Sequence, residues 1–193
     1  MKATQQLKDE HEGIKIMLRI LEQVCRQLEA AGNLNKGHFE GILEFLSVFV
    51  DRCHHGTEEE LLFPALIAAG VPKEGPVAVL LHEHEMGRNY VKAMSQAHAA
   101  YLAEDGSSSE DIVQNARDYI ALLKDHIEKE NKVLFVTADS RLSEKTQNRL
   151  FEGFETIEAE RIGVGRHEEF HDLLEKLSGI YLNSKASGSG IHS

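Results

Sequence analysis

Two stretches near the middle of the chain repeat one another, and any fold must satisfy both. The first runs from His54 to Phe63, His-His-Gly-Thr-Glu-Glu-Glu-Leu-Leu-Phe, and the second from His126 to Phe135, His-Ile-Glu-Lys-Glu-Asn-Lys-Val-Leu-Phe. Aligned on their Leu-Phe ends, both place a His and, four residues later, a Glu in one register: His54 with Glu58, and His126 with Glu130. On a helix, residues four apart share a face, with Cβ atoms roughly 5–6 Å apart, so an imidazole and a carboxylate converge on one point, as metal ligands must. His55 and Glu59 have the same spacing, but only His54 and Glu58 match the second copy. A further echo joins them, since Glu10-His11-Glu12 and Glu83-His84-Glu85 each set a lone His among acids inside an apolar-periodic segment. The chain thus offers His11, His54, Glu58, His84, His126 and Glu130 as one candidate ligand set.

The segments that carry these residues read as helices. From Thr4 to about Ala31, Leu7, Ile14, Met17, Leu18, Leu21, Val24 and Leu28 recur at three- and four-residue steps, until Gly32-Asn33 stops the pattern. A second helix is expected from Lys36, capped by Asn35, through the first repeat to Gly70. Pro72 and Pro76 flank a turn before a third helix, about Val77 to Ala103, and Ser108 with Asp111 resembles a capping signal for a fourth, which runs to about Ala138. Ser143 caps a fifth to about Arg161, the Gly163-Val164-Gly165 turn ends it, and a sixth covers His167 to about Leu182.

The expected fold is therefore all-α: an up-down-up-down four-helix bundle over residues 1–140, a two-helix extension over 141–183 packed on it, and a flexible Ser/Gly-rich tail over 184–193. Counting along the chain brings the four His close to one level, with a mismatch of roughly 6 Å across the middle connection, between Glu58 and His84. His11 precedes Ala31 by as many residues as His54 follows Leu34, and His84 and His126 are nearly level across the second hairpin.

Composition removes several functions. With 21 Lys and Arg against 32 Asp and Glu, a net charge of −11 argues against nucleic acid and anionic membrane as partners. Two cysteines, Cys25 and Cys53, do not make a disulfide scaffold, and Cys53 reads as a small buried residue rather than a ligand. No apolar run approaches the ~18 residues of a membrane span and no leader pattern opens the sequence, so it reads as soluble and cytoplasmic.

Six polar groups at one level of a helical core would each cost roughly 2–7 kcal/mol if neutral and unpaired, and more for a carboxylate. Two divalent or trivalent metal ions remove that conflict. The His/carboxylate mixture suits iron or manganese better than a thiolate-rich zinc site, and Glu58 and Glu130 are placed to bridge two ions.

Taken together, a His on helix one (His11), H-x-x-x-E-E-x-x-L-F-P on helix two (His54 to Pro64), E-H on helix three (Glu83-His84) and H-x-x-x-E on helix four (His126, Glu130) resemble the hemerythrin-like, or HHE cation-binding, family over about residues 4–138. The resemblance implies a four-helix bundle around a non-haem di-iron centre, two Fe ions bridged by carboxylates and an oxo or hydroxo group. It implies a small diatomic ligand, O2 or nitric oxide, or peroxide as the molecule bound or sensed. The oxygen carriers of that family have H-x-x-x-H on helix three, whereas here Arg88 stands four residues after His84. This shifts the expectation from reversible oxygen carriage towards sensing, or towards an enzyme that disproportionates peroxide or donates iron in iron–sulfur centre repair. A sensor without an output domain would signal through a homodimer or a second protein.

His55 and His82 are expected to lie off the shared face, and Glu59, Glu60, Glu83 and Glu85 to form a mostly solvated acidic face from which one carboxylate accepts a ligand imidazole N–H. His167 and His171 are a further candidate pair of metal ligands. Phe151, Phe154, Ile157, Phe170, Leu173, Leu174 and Leu177 form apolar stripes that must dock on the bundle. Docking at the metal-bearing end would bring His167 to the centre with Arg161 or Arg166 at its entrance, and the absent second His on helix three favours this arrangement; docking on the flank would extend the core or make a dimer contact.

Overall fold

Helix ends fall where the sequence carries its stop signals. The computed structural model describes residues 2–104, 108–163 and 165–183, so the expected tail over 184–193 lies outside the described residues. Among these residues every regular element is helical. Helix α1 (Ala3–Ala31) ends at Gly32, whose φ of 61° turns its N–H back to the Leu28 carbonyl. Helix α2 (36–68) starts at Asn35, whose side chain accepts the His38 N–H at 3.0 Å. A wide turn, Lys73–Val77, with Gly75 in non-helical backbone, leads into α3 (Ala78–Leu102). Helix α4 spans 108–141, and α5 (Glu144–Arg161) is capped by the Ser143 hydroxyl, which accepts the Thr146 N–H at 3.2 Å. Gly163 (φ 90°) and Gly165 (φ 86°) turn the chain into α6 (Arg166–Tyr181).

Each of α1 to α4 touches two neighbours, α1 meeting α2 and α4, and α3 meeting the same pair, so the long helices close around a shared interior. That interior is split in two. A larger apolar cluster holds Ile14, Met17, Leu21, Phe39, Phe45, Leu46, Met94, Tyr119 and Leu123. A smaller one holds Leu7, Leu62, Phe63, Leu66, Leu80, Leu134 and Phe135. On every long helix the candidate ligands stand between residues of the first cluster and residues of the second, so they form a polar layer across the core.

Helix α5 rests on α1 and α2 and sends Leu150 and Phe154 into the smaller cluster; α6 rests on the same two helices and sends Phe170, Leu174, Leu177 and Tyr181 into the larger one. The extension thus lies along the α1–α2 flank and extends the core. Leu177 is fully buried there. Leu177→Ala is expected to cost about 2–5 kcal/mol through lost burial and the cavity left behind. Denaturant midpoints of metal-free protein check this, and a loss under about 1 kcal/mol would mean that α6 is only loosely held.

Candidate metal centre

Three of the six candidate ligands, His54, Glu58 and Glu130, stand on turns that depart from ordinary α-helix, while His11, His84 and His126 stand on regular α-helix. Residues Phe45–His55 and Glu58–Leu62 of α2 and Glu130–Leu134 of α4 make π-helical i→i+5 hydrogen bonds. Such wide turns are rare and gather at functional sites. They carry more residues per turn, so neighbours diverge less in direction than on an α-helix.

His11, His54, Glu58, His84, His126 and Glu130 meet in one layer, none more than 2 % exposed. The imidazoles form two pairs, with His11 Nε2 3.0 Å from His54 Nε2 and His84 Nε2 3.1 Å from His126 Nε2. Both carboxylates lie across the two pairs. Glu130 sets Oε2 3.2 Å from His11 Nε2 and Oε1 3.2 Å from His126 Nε2. Glu58 sets Oε1 3.9 Å from His54 Nε2 and Oε2 3.5 Å from His84 Nε2. Two four-residue groups result, His11, His54, Glu58, Glu130 and Glu58, His84, His126, Glu130, each with its ligand atoms within 4.8 Å of one another.

Each imidazole keeps Nε2 inward because Nδ1–H is held by the next helix round the bundle. Glu10 of α1 accepts from His54 at 2.6 Å, Glu59 of α2 from His84 at 2.8 Å, Glu83 of α3 from His126 at 2.9 Å, and Asn131 of α4 from His11 at 3.0 Å. These partners fix the tautomer and ring orientation that a metal ligand needs. The repeat predicts half of this pattern in retrospect, since Glu59 follows Glu58 as Asn131 follows Glu130. The Phe that ends each repeat stacks on the opposite hairpin's imidazole, Phe135 on His11 (5.4 Å between centroids) and Phe63 on His84 (5.8 Å).

Without a cation this layer is in conflict. Among the described residues, none of the four buried oxygens of Glu58 and Glu130 has a hydrogen-bond partner, and paired Nε2 atoms face one another at hydrogen-bond distance. Burial, reinforced by Glu130, raises the Glu58 carboxyl well above the usual range. Glu130 is also opposed by burial, but His126 and His11 hold it well below that range. Burial lowers the His11 and His84 imidazoles. Burial works against His126 too, yet Glu130 and Glu83 raise it to about 9. Metal ions would replace the shared protons and neutralise both carboxylates, and four imidazoles with two carboxylates suit a hard-to-intermediate ion. The residues present fit a bound metal.

Several expectations change. His55 is not off the shared face: it is 3 % exposed, its ring stacks on His84 at 3.9 Å, and it groups with His84 and His126. The expectation assumed the 100° step of an α-helix, which the π turn narrows. Three acidic side chains, Glu10, Glu59 and Glu83, rather than one, accept from imidazoles of the candidate ligand set, and the sequence could not show that each serves a His on the next helix. His82 is exposed, as expected, and both cysteines are free and buried, their thiols pushed up to about 12 by burial. His167 is half-buried against Phe49 and pairs edge-on with the exposed His171; neither joins the groups above. Arg161 pairs with Glu60, and Arg166 with Glu44 and Glu169, so neither guanidinium is free. Arg88 pairs with Asp51 at 2.8 Å and with Glu59.

Two cavities flank the layer. One of about 230 Å³ lies under α6, lined mainly by Phe45, Phe49, Phe170 and Leu174 with Glu10 and His167 at its polar side. The other, about 300 Å³, lies between α2 and α3, its lining including Asp51, His55 and Arg88 together with Tyr119 of α4. No helix among the described residues is long and apolar enough to cross a membrane.

The chain is similar, at 26 % identity over 182 residues, to the uncharacterized proteins Mb2018 of Mycobacterium bovis and Rv1995 of Mycobacterium tuberculosis, an alignment covering 93 % of this chain and 71 % of each relative. No solved structure matches it. Residues 2–138 match the model of the hemerythrin HHE cation-binding domain. With that match spanning the helices that build the polar layer, the chain belongs to the hemerythrin HHE cation-binding family.

Proposed function

We propose that this chain is a non-haem di-iron protein that takes up O2, nitric oxide or peroxide and reports the event through its C-terminal helices. The observation that carries this reading is the double span of Glu58 and Glu130, each with one oxygen towards each imidazole pair. A single ion would need only one such pair. Bound iron would supply electron exchange with a small oxygen- or nitrogen-centred ligand. The chain's own residues hold the rings by Nδ1, shield one side of the layer with Phe63 and Phe135, and set the carboxylates between the two positions.

In this reading residues 1–140 form the up-down-up-down unit that carries the centre, and 141–183 form an extension whose α6 contacts α1 and α2, the helices of His11 and His54. A homodimer or second protein would read its position. The test is rapid mixing of reduced, iron-loaded protein with O2, nitric oxide and peroxide in turn. About two irons per chain, one for each ligand group, and a stable new optical spectrum with one of the three are expected. Sustained peroxide consumption would replace this reading with an enzymatic one, and a single zinc or no metal after iron supplementation would sink it.

A further inference from the structure

His55 lies beside the four imidazoles already described, yet among the described residues neither of its ring nitrogens has a hydrogen-bond partner. Its Nδ1 lies 3.8 Å from the Asp51 carboxylate, on the side where the other rings meet Glu10, Glu59, Glu83 and Asn131. Asp51 is itself held in place by Arg88 at 2.8 Å. Both His55 ring nitrogens are buried without a hydrogen bond, and a ligand atom of His55 lies within 4.8 Å of those of His84 and His126. An unanswered buried polar group of this kind is costly.

The second repeat shows that packing does not require it. His55 stands where the second copy has Ile127, which is also buried, at 1 % exposed. An aliphatic side chain therefore suffices at this place beside the layer, and the imidazole brings a lone pair instead. His11 and His54 have no counterpart to it, so the two halves of an otherwise symmetric layer differ by one nitrogen donor.

We propose that His55 is a fifth imidazole ligand, serving the metal position of His84 and His126 and not that of His11 and His54. The proposal rests on the metal-centre reading above and makes that centre unequal, with three imidazoles on one side and two on the other. Asp51 and Arg88 then act as positioning residues for His55, and the cavity between α2 and α3 ends on a ligand.

Cobalt(II) titration of metal-free protein, followed by visible absorption, tests this, with His55→Ile as the main variant because it copies the residue of the other repeat and so keeps the fold. Wild type is expected to take up about two equivalents, one per ligand group. In His55→Ile the first equivalent should bind as before, while the second weakens by at least the roughly 10–100-fold that loss of an outer partner costs. Its visible bands should intensify as the coordination number falls. His55→Ala should behave likewise and recover the wild-type spectrum with added imidazole, whereas His82→Ala should change nothing. Two equivalents with an unaltered spectrum in both His55 variants, or equal weakening of both equivalents, would overturn the assignment while leaving the metal centre intact. Failure of wild type to bind cobalt or iron would overturn both readings.

Discussion

Replacing either shared carboxylate is expected to empty both metal positions of the proposed di-iron centre at once. Glu58→Ala and Glu130→Ala should each take iron from about two per chain to near zero after anaerobic reconstitution, because each side chain spans both ligand groups. Glu128→Ala should retain full iron, since Glu128 is exposed and pairs with Lys132 across one helical turn. Glu59→Ala should fall between them: Glu59 orients His84, and loss of such a partner costs roughly 10–100-fold in metal affinity. The same substitutions separate binding from folding. A buried acceptor left unsatisfied costs roughly 1–3 kcal/mol, so metal-free Glu58→Ala should melt no lower than metal-free wild type. Equal iron loss at Glu58, Glu59, Glu128 and Glu130 would place the centre on another face.

The second large effect is that of metal on stability, and it should grow with pH. An ion that binds only the folded state adds RT ln(1 + [L]/Kd), about 4 kcal/mol at a thousandfold excess over Kd. For a chain of this size that is roughly 8–16 °C in Tm. The His126 imidazole, raised in the metal-free fold to about 9 from 6.5, stabilises that fold fully below pH 6.5, and this contribution is lost as pH rises through 9. Glu58 works in the same direction. Its raised carboxyl costs the metal-free fold nothing at low pH and progressively more as pH rises above 4.5. The metal-bound form holds both groups deprotonated, so the gap between loaded and chelated protein should widen up to about pH 9 and shrink as pH falls. Melting curves at several pH values, with and without chelator, measure this. A gap that is constant or narrows with rising pH would contradict the proton competition.

Much of the centre was legible because it is written twice. The alignment of His54-Glu58 with His126-Glu130, and the echo of Glu10-His11 in Glu83-His84, pick out all six residues that the structure gathers in one layer. Helix ends at Gly32, Asn35 and Ser143 were legible because their capping chemistry is local. His55 was not, because its direction depends on a π-helical stretch whose hydrogen bonds carry no distinct sequence signature. The orienting groups were hidden for another reason. Glu10 adjoins His11 in sequence but serves His54, and Glu83 adjoins His84 but serves His126, so proximity along the chain points to the wrong partner. The docking of α5 and α6 on the α1–α2 flank is a contest between apolar surfaces that periodicity cannot rank.

The ring of orienting contacts bears on the order of events in folding. Glu10 of α1 holds the imidazole of α2, Glu59 of α2 that of α3, Glu83 of α3 that of α4, and Asn131 of α4 closes the circle on α1. No helix aims its own ligand, and neither hairpin alone aims both of its imidazoles, since His11 and His84 each depend on the other hairpin. A half-assembled chain therefore offers His and Glu side chains free to rotate, and a metal meeting them there gains little over one meeting any flexible acidic peptide. In the proposed metal centre, selective capture would therefore require all four helices in place, with the apolar clusters on either side of the layer closed.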